Sequence, residues 1–369
     1  MANTRKLTIL PGDGIGPEVA HQAVRISKAA AEIAGIEIEV QEYPVGGASV
    51  DQHGTPVTDE ALEACKQSDA VFLGAVGGPQ YDNNEKHLRP EAALLRLRNE
   101  LGLFTNLRPI KVYDALVESS TLKEHVVRNI DLMVVRELTG GIYFGEPRKT
   151  EEINGEQVAT DSMVYSTSEI RRIAQAAMDV ARKRNRRVTS VDKSNILDTS
   201  RLWRKTVEEV FASQNDVELS HMLVDNCAMQ LVRDPAQFDV ILTGNMFGDI
   251  LSDEAAMITG SIGMLPSASV GSGTAMYEPV HGSAPDIAGT GKANPLASIA
   301  SAALMFRYSF DSEEAASAIE ASIEETLNAG YRTPDLQKTS DSQQVMGTEE
   351  ITDAILKRIN NKQENIANA

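Results

Sequence analysis

The chain has 369 residues, which is long enough for two domains with a hydrophobic core each. Its 53 acidic and 35 basic side chains give a formal net charge of −18, which argues against a nucleic-acid-binding surface, because such a surface needs a basic field. The two cysteines, Cys65 and Cys227, have neither metal-site spacing nor a disulfide framework, so we expect buried, reduced thiols. With no signal-peptide pattern and no long apolar run, we expect a cytoplasmic location.

Strand-like and helix-like patterns alternate along the chain, which predicts an α/β fold. Predicted strands cover 6–10, 36–40, 70–73 (closed by a glycine-rich loop, 74–78), 129–135, 187–192, 218–224 and 238–243. Predicted helices cover 17–34, 58–65, 90–101, 169–184, 313–328 and 348–359, with a frayed tail after residue 360.

A polar segment, residues 146–164, lacks the apolar residues of a core and contains the hairpin signal Asn154-Gly155. It predicts a two-stranded arm. An isolated hairpin is only marginally stable in water, so we expect the arm to pair with a partner subunit.

The glycine-rich segment Gly12–Gly16 joins the first predicted strand to the first predicted helix. It is not a dinucleotide-binding fingerprint, because the third glycine of that pattern falls at Pro17, which instead suits the first turn of a helix. The spacing fits a loop whose backbone approaches a ligand closely. It fits a tight turn without a ligand as well, and both interpretations stay open.

Charged residues follow four of the predicted strands. Arg136, Lys193 and Asp225 each follow a strand directly, and Asp249 with Asp253 follow the fourth. Open α/β sheets form their sites at the carboxyl ends of parallel strands, so this arrangement predicts a polar site with an arginine for an anionic substrate, an acid–base lysine and a metal.

Asp249 and Asp253 are four residues apart, so they share one face if the segment after Gly244 is helical. Two adjacent carboxylates repel each other unless a cation lies between them, and a hard divalent ion is the natural candidate. The alternative is that both acids simply lie near a helix N-terminus, where the macrodipole favours them.

Six segments, in this order along the chain, resemble the metal-dependent β-decarboxylating dehydrogenases, which form the isocitrate/isopropylmalate dehydrogenase family. The segments are Gly12–Pro17, Asn106–Pro109, Arg136–Gly145, Asp192–Asn195, Gly244–Glu254 and His281–Asp286. The resemblance runs essentially end to end. It implies a two-domain α/β fold that is not a standard Rossmann fold. One domain combines 1–103 with 260–369; the other, 104–259, carries the dimer contacts and the arm.

The resemblance implies a site in the interdomain cleft of a homodimer, with Lys193 and Asp225 supplied by the neighbouring subunit. Asp225, Asp249 and Asp253 are the expected ligands of Mg²⁺ or Mn²⁺. Tyr143 and Lys193 are the expected acid–base pair. Without the resemblance, Tyr143 would be interpreted as a core aromatic residue. The expected substrate contacts are Arg98, Arg108, Arg136, Asp225, Glu91, Leu94 and Leu95.

The implied reaction is the NAD-dependent oxidative decarboxylation of (2R,3S)-3-isopropylmalate to 4-methyl-2-oxopentanoate and CO₂, a step of leucine biosynthesis. Family members that act on isocitrate place Ser and Asn on the helix facing its third carboxylate. Here Leu94 and Leu95 occupy that helix and cannot hydrogen-bond a carboxylate, so an isopropyl group fits. Core packing is their other interpretation, and Arg98 could instead face solvent. Tartrate, malate and homoisocitrate are the alternative substrates, and a catalytically silent homologue is disfavoured because no matched position is lost.

Asp286 is expected to decide the cofactor. By resemblance it faces the adenosine ribose, where a carboxylate accepts hydrogen bonds from both hydroxyls and repels a 2′-phosphate, so NAD is favoured over NADP. The expected cofactor contacts are Ile15, Gly78, Glu91, His281, Gly282, Ser283, Ala284, Pro285, Asp286, Ile287 and Asn294.

Overall fold

The computed structural model describes residues 3–212, 214–337 and 344–367. Strands and helices alternate in the order predicted for an α/β chain. The strands are β1 (Asn3–Gly12), β2 (Ile36–Glu42), β3 (Ala70–Ala75), β4 (Thr105–Lys111), β5 (Asp131–Glu137), β6 (Lys149–Ile153), β7 (Glu156–Thr160), β8 (Arg187–Asp192), β9 (Glu218–Leu223), β10 (Val240–Thr243), β11 (Pro266–Val270), β12 (Met276–Pro279), β13 (Tyr331–Arg332) and β14 (Gln344–Val345).

Helices form at the six predicted positions and at further positions. They are α1 (Gly16–Ile33), α2 (Gly47–His53), α3 (Asp59–Lys66), α4 (Glu91–Glu100), α5 (Glu124–Val127), α6 (Thr167–Arg182), α7 (Asp198–Ala212), α8 (Val224–Arg233), α9 (Asn245–Ala256), α10 (Leu296–Tyr308), α11 (Glu313–Asn328) and α12 (Thr348–Ala367).

Several sequence-based boundaries differ from those of the structure. β3 runs through Gly74 and Ala75, which were expected in a loop, and Arg136 lies inside β5 because Glu137 still pairs with Thr105. Asp225 does not end a strand, since α8 begins at Val224. The tail is helical, with α12 continuing through residue 367.

The chain divides into two compact units. The first comprises Met1–Leu103, Val112–Glu124 and Ala256–Ala369. Its strands lie in the order β2-β1-β3-β12-β11, parallel except for the antiparallel pair β11 and β12. Helices α1, α10, α11 and α12 pack on one another, and most of α10 is buried because its sequence is apolar or small on every face. Pro17 lies in the first turn of α1, as predicted.

The second unit comprises Phe104–Lys111 and His125–Ala255. Its strands lie in the order β4-β5-β10-β8-β9, and all neighbours are parallel except β4 and β5. The four strands expected to end in charged residues, β5, β8, β9 and β10, are therefore adjacent in one sheet. Helix α6 packs against it and begins with a capping box between Ser166 and Glu169.

The predicted arm forms the hairpin β6–β7, with Asn154 and Gly155 at its turn, both in the left-handed region. Its side chains are exposed or half-buried, and Ile153 is 44% exposed. The hairpin itself is thus present, and its role at a subunit interface stays a prediction.

Within the described ranges, no helix combines the length and the apolar character needed to cross a bilayer. Both cysteines are buried and free, as predicted.

The buried thiols predict a loss of stability in alkali. Burial raises the pKa of Cys65 and of Cys227 from 9.0 to about 12. The native state keeps both protons in a pH range where the unfolded chain has lost them, so stability falls as pH rises from 9 towards 12, by about 4 kcal/mol per thiol at the upper end. We expect the free energy of unfolding in denaturant, at fixed protein concentration, to fall more steeply between pH 8.5 and 10.5 in the wild type than in the Cys65→Ala/Cys227→Ala variant. Equal slopes would contradict this prediction.

Candidate active site

Asp249 and Asp253 project from one face of α9, which follows the buried strand β10 directly. The helix begins at Asn245, so neither acid is in its first turn. Because the macrodipole effect falls off within the first turn, it does not explain the two carboxylates. Their side chains are 34% and 54% exposed.

Two buried arginines from neighbouring strands face these carboxylates. Arg108, on β4, donates to Asp253 at 3.1 Å and to Ser252 Oγ at 2.6 Å, and its Nη2 lies 3.6 Å from Asp249 Oδ1. Arg136, on β5, forms a hydrogen-bonded ion pair with Asp249. Arg108 is 7% exposed and Arg136 is 2% exposed, so both cations are desolvated and strongly attract anions.

Tyr143 completes this cluster from the short 3₁₀ helix Gly141–Tyr143. Its hydroxyl donates to Asp249 Oδ2 at 2.9 Å. Burial, followed by the neighbouring Asp249 carboxylate, raises the pKa of Tyr143 above its usual value, while Arg136 and Arg108 oppose the shift. The phenol therefore stays protonated at neutral pH and can donate a proton.

Burial also raises the pKa of Asp253, and Asp249 adds to this shift, whereas Arg108 and Arg136 lower it. Two carboxylates on one helix face thus repel each other despite the arginines. A divalent cation would relieve the repulsion, and carboxylate oxygens are the ligands that Mg²⁺ and Mn²⁺ prefer. The donor chemistry of this pair fits such an ion.

Lys193 and Asp225 form a separate pair, with Nζ 2.6 Å from Oδ1. The hydrogen bond from Lys193 holds the pKa of Asp225 below its usual value. In the described part of one chain, no three His, Cys, Asp or Glu side chains are grouped so that they could hold a metal. One chain therefore brings together two of the three predicted ligands, Asp249 and Asp253, and not Asp225.

Buried hydrogen bonds fix the backbone next to Lys193. Asp192 is 2% exposed and accepts two hydrogen bonds from Arg204, both at 2.9 Å. It also accepts from the backbone N–H of Ser194, and the N–H of Lys193 donates to Ser200 Oγ at 3.1 Å.

In the first unit, several predicted cofactor residues lie together. The N–H of Ile15 donates to the Ser283 carbonyl at 2.8 Å, and Ile15 packs with the half-buried Ala284 and Ile287. Glu91, whose side chain is close to Gly77, lies at the start of α4.

Gly12 and Gly14 allow the backbone of the first loop to lie directly against the backbone of other segments. A Cβ on Gly12 would lie 1.8 Å from the Ala75 carbonyl oxygen, and one on Gly14 would lie 2.0 Å from that of Ser283. Asp13, between them, accepts hydrogen bonds from the N–H groups of Gly47, Ala48 and Gly77, all at 2.8 Å. The segment is therefore a packed turn, and Asp13 joins it to the N-terminus of α2 and to the loop after β3.

His281 is buried, and its Nε2 has no hydrogen-bond partner among the atoms of the described residues. Its Nδ1 lies 3.0 Å from the Gly282 carbonyl, which can only accept, so Nδ1 carries the proton and Nε2 of the neutral ring is an acceptor. Burial lowers the pKa of His281, which keeps the ring neutral. A buried acceptor without a partner suits the exocyclic amine of an adenine.

The neighbouring predicted positions differ in accessibility. Gly282, Pro285 and Asp286 are exposed, and a Cβ on Gly282 would meet open space. Gly78 precedes a 3₁₀ helix and is half-buried. Asn294 is 7% exposed and its amide donates to Asp335 at 2.9 Å.

On α4, Arg98 is largely buried and donates to Glu278 at 3.1 Å, so the solvent-facing interpretation of this residue is wrong. Its Nε is buried without a partner in the described chain. Ala93 and Leu97 provide the core contacts of the helix, whereas Leu94 and Leu95 are only half-buried. Both leucines are therefore available to contact a ligand.

A family model described as isocitrate/isopropylmalate dehydrogenase matches residues 6–355. The chain belongs to the isocitrate/isopropylmalate dehydrogenase family. This family member is 56% identical over 354 residues to the 3-isopropylmalate dehydrogenase of Aquifex aeolicus (strain VF5), covering 96% of this chain and 97% of the relative. It is 55% identical over 359 residues to the chloroplastic 3-isopropylmalate dehydrogenase 2 of Arabidopsis thaliana, covering 96% and 88%. The resemblance carried by the six sequence segments is confirmed.

Solved structures agree with this assignment. The crystal structure of isocitrate dehydrogenase from Methylococcus capsulatus matches the dehydrogenase with a TM-score of 0.85 at 33% identity, covering 96% of this chain and 99% of that one. A β-decarboxylating dehydrogenase from Thermococcus kodakarensis matches with a TM-score of 0.79 at 35% identity, covering 97% and 96%. The predicted fold class is confirmed.

Proposed function

We propose that this dehydrogenase catalyses the NAD-dependent oxidative decarboxylation of (2R,3S)-3-isopropylmalate to 4-methyl-2-oxopentanoate and CO₂, in leucine biosynthesis. The observation that carries the proposal is 53–56% identity, over nearly the whole chain, to relatives named 3-isopropylmalate dehydrogenase. The chain is only 33% identical to the isocitrate dehydrogenase with a similar structure.

Leu94 and Leu95 support the choice of substrate. Both are half-buried on α4, and neither can hydrogen-bond a third carboxylate, so isocitrate would leave a charge next to apolar side chains. An isopropyl group has no such cost. Arg98 and Glu91, on the same helix, are proposed to contact the substrate as well.

The divalent ion, when bound, would act as a Lewis acid towards the substrate hydroxyl. We propose that Asp249 and Asp253 hold it together with Asp225 of a second chain. Arg108 and Arg136 would bind the substrate carboxylates, because a guanidinium offers parallel donors that match the two oxygens of a carboxylate.

Lys193 and Tyr143 are proposed to transfer the protons of the reaction. Lys193 is proposed to accept the proton of the substrate hydroxyl, directly or through water. The protonated Tyr143 is proposed to deliver a proton to the carbon that loses CO₂. The hydrogen bond from Tyr143 to Asp249 fixes the orientation of the phenol before substrate arrives.

NAD, when bound, would accept the hydride from C2 of the substrate. The neutral His281 is proposed to accept a hydrogen bond from the adenine, and the exposed Asp286 to accept from the ribose hydroxyls. The remaining proposed contacts are Ile15, Gly78, Glu91, Gly282, Ser283, Ala284, Pro285, Ile287 and Asn294.

We propose a homodimer in which each site draws residues from both chains. Two observations support it. Asp225 is not grouped with the other two predicted ligands in one chain. Met229 and Val232, three residues apart on α8, are 60% and 50% exposed, and Ile250 on α9 is 60% exposed. Neighbouring exposed apolar side chains are typical of a surface that a partner covers.

The test is the rate of NAD⁺ reduction with Mn²⁺ present, comparing 3-isopropylmalate, isocitrate, homoisocitrate, tartrate and malate. We expect kcat/KM to be highest for 3-isopropylmalate. A preference for isocitrate would overturn the argument from Leu94 and Leu95, and no reduction with any of the five substrates would overturn the proposed function.

A further inference from the structure

Asn245 is the first residue of α9, and its side chain makes every hydrogen bond that an amide can make. It is 1% exposed. Its Oδ1 accepts from Arg136 Nε at 3.1 Å and from Arg136 Nη2 at 2.8 Å. Its Nδ2 donates to the carbonyls of Leu138 and Gly140, both at 3.0 Å. An amide has two acceptor sites and two donor hydrogens, so all four are used.

These bonds determine which edge of Arg136 faces the site. Asn245 occupies the Nε edge of the guanidinium, and Nη1 is paired with Asp249. The stem of Arg136 lies against α9, where a Cβ on Gly248 would be 2.7 Å from its Cγ. Rotation of the arginine side chain would break both bonds to Asn245 and leave a buried oxygen unpaired.

The donor side of the same amide holds the segment that leads to Tyr143. The carbonyls of Leu138 and Gly140 point to Asn245, and the N–H of Gly140 donates to the buried Glu137 at 2.8 Å. Tyr143 follows three residues after Gly140 and contacts Asp249. A single buried side chain thus sets the position of an arginine and the start of the tyrosine segment.

We infer that Asn245 is a positioning residue: it holds Arg136 in the orientation that receives a substrate carboxylate, without touching the substrate itself. This inference rests on the proposed function, because it needs a carboxylate substrate at Arg136. The inference gives Asn245 a role that an asparagine after a strand would not by itself indicate.

A double-mutant cycle tests this inference. Asn245→Leu keeps the approximate shape and removes the acceptor, so we expect KM for 3-isopropylmalate, and its Kd measured by calorimetry with Mg²⁺, to rise about tenfold or more. Arg136→Lys should weaken binding too, because lysine lacks the planar fork. If Asn245 acts through Arg136, the double variant should be about tenfold less impaired than the product of the two single effects.

Matched controls separate positioning from a general loss of structure. Combining Asn245→Leu with Arg98→Lys, whose partner is Glu278, should give effects that multiply. Asn328→Leu, at the exposed end of α11, should leave KM unchanged. The melting temperature of each variant shows whether it is folded.

Asn245→Asp serves as a second variant if Asn245→Leu does not fold. It keeps an acceptor for Arg136 and changes the donor side, so its KM should lie between those of the wild type and Asn245→Leu. A multiplicative Asn245–Arg136 cycle, or wild-type binding in folded Asn245→Leu, would overturn the inference while leaving the proposed function intact. A wild type without activity on 3-isopropylmalate would overturn the proposed function instead.

Discussion

Asp249→Asn is expected to lower kcat/KM for 3-isopropylmalate by about 1000-fold or more. The proposed metal loses an anionic ligand, and Lewis-acid stabilisation of the transition state is worth several kcal/mol, which is about three orders of magnitude in rate. The amide oxygen can still accept from Arg136, and the amide NH₂ can donate to the Tyr143 hydroxyl, so the fold should persist. Steady-state kinetics with Mn²⁺, together with calorimetric titration of Mn²⁺, measures both effects.

Asp253→Asn should behave in the same way, because it removes the second carboxylate of the pair on α9. Asp216→Asn is the matched control, since Asp216 is a solvent-exposed aspartate that also pairs with an arginine, Arg182. It should leave activity and Mn²⁺ affinity unchanged. If both Asp249→Asn and Asp253→Asn bind Mn²⁺ as tightly as the wild type, the proposal that α9 supplies the metal ligands is wrong.

Two inactive variants are expected to regain activity when they are mixed. If each site combines Asp249 of one chain with Lys193 of the other, then Lys193→Met and Asp249→Asn homodimers are both inactive. A hybrid dimer of the two has one site with both residues intact and one with neither. After denaturation and joint refolding at equal concentrations, half of the dimers are hybrids, so about a quarter of the wild-type activity should return.

A second mixture of two inactive variants is the control for this experiment. Refolding Asp249→Asn with Asp253→Asn should restore nothing, because both residues lie on the same helix and every site lacks a ligand. Equal activity in the two mixtures would show that the sites are not shared in this way. Full activity of a Lys193→Met homodimer would instead remove Lys193 from the proposed catalytic residues.

The carboxylates of α9 were predictable because their spacing and the preceding buried strand are local features of the sequence. The same holds for the position of Lys193, directly after β8. Asp225 was misplaced because the apolar residues Leu223 and Val224 continue the strand pattern, whereas the chain turns into α8 there. Arg136 was predicted directly after the strand and instead lies inside β5, because pairing with β4 extends β5 by one residue beyond it.

The supporting residues could not be predicted from local pattern. Asn245 contacts Arg136 across 109 positions, and Ser252 contacts Arg108 across 144. Only the order of the strands brings these pairs together, since Arg136 lies opposite Asn106 on one side and Thr243 on the other. The buried Asp13 is similar: its glycine neighbours predicted a tight loop, and the three N–H groups that it binds come from distant segments.

Trp203 gives the protein a built-in optical reporter. It is the single tryptophan of the chain and is 3% exposed. Its ring meets that of Tyr165 edge to face at 5.4 Å, and the Tyr165 hydroxyl accepts a hydrogen bond from the backbone N–H of Asn245 at 2.7 Å. All intrinsic indole emission therefore comes from a ring that contacts Tyr165, which in turn contacts the first residue of α9. A ligand that perturbs this end of the helix would be detectable by fluorescence without attaching a dye.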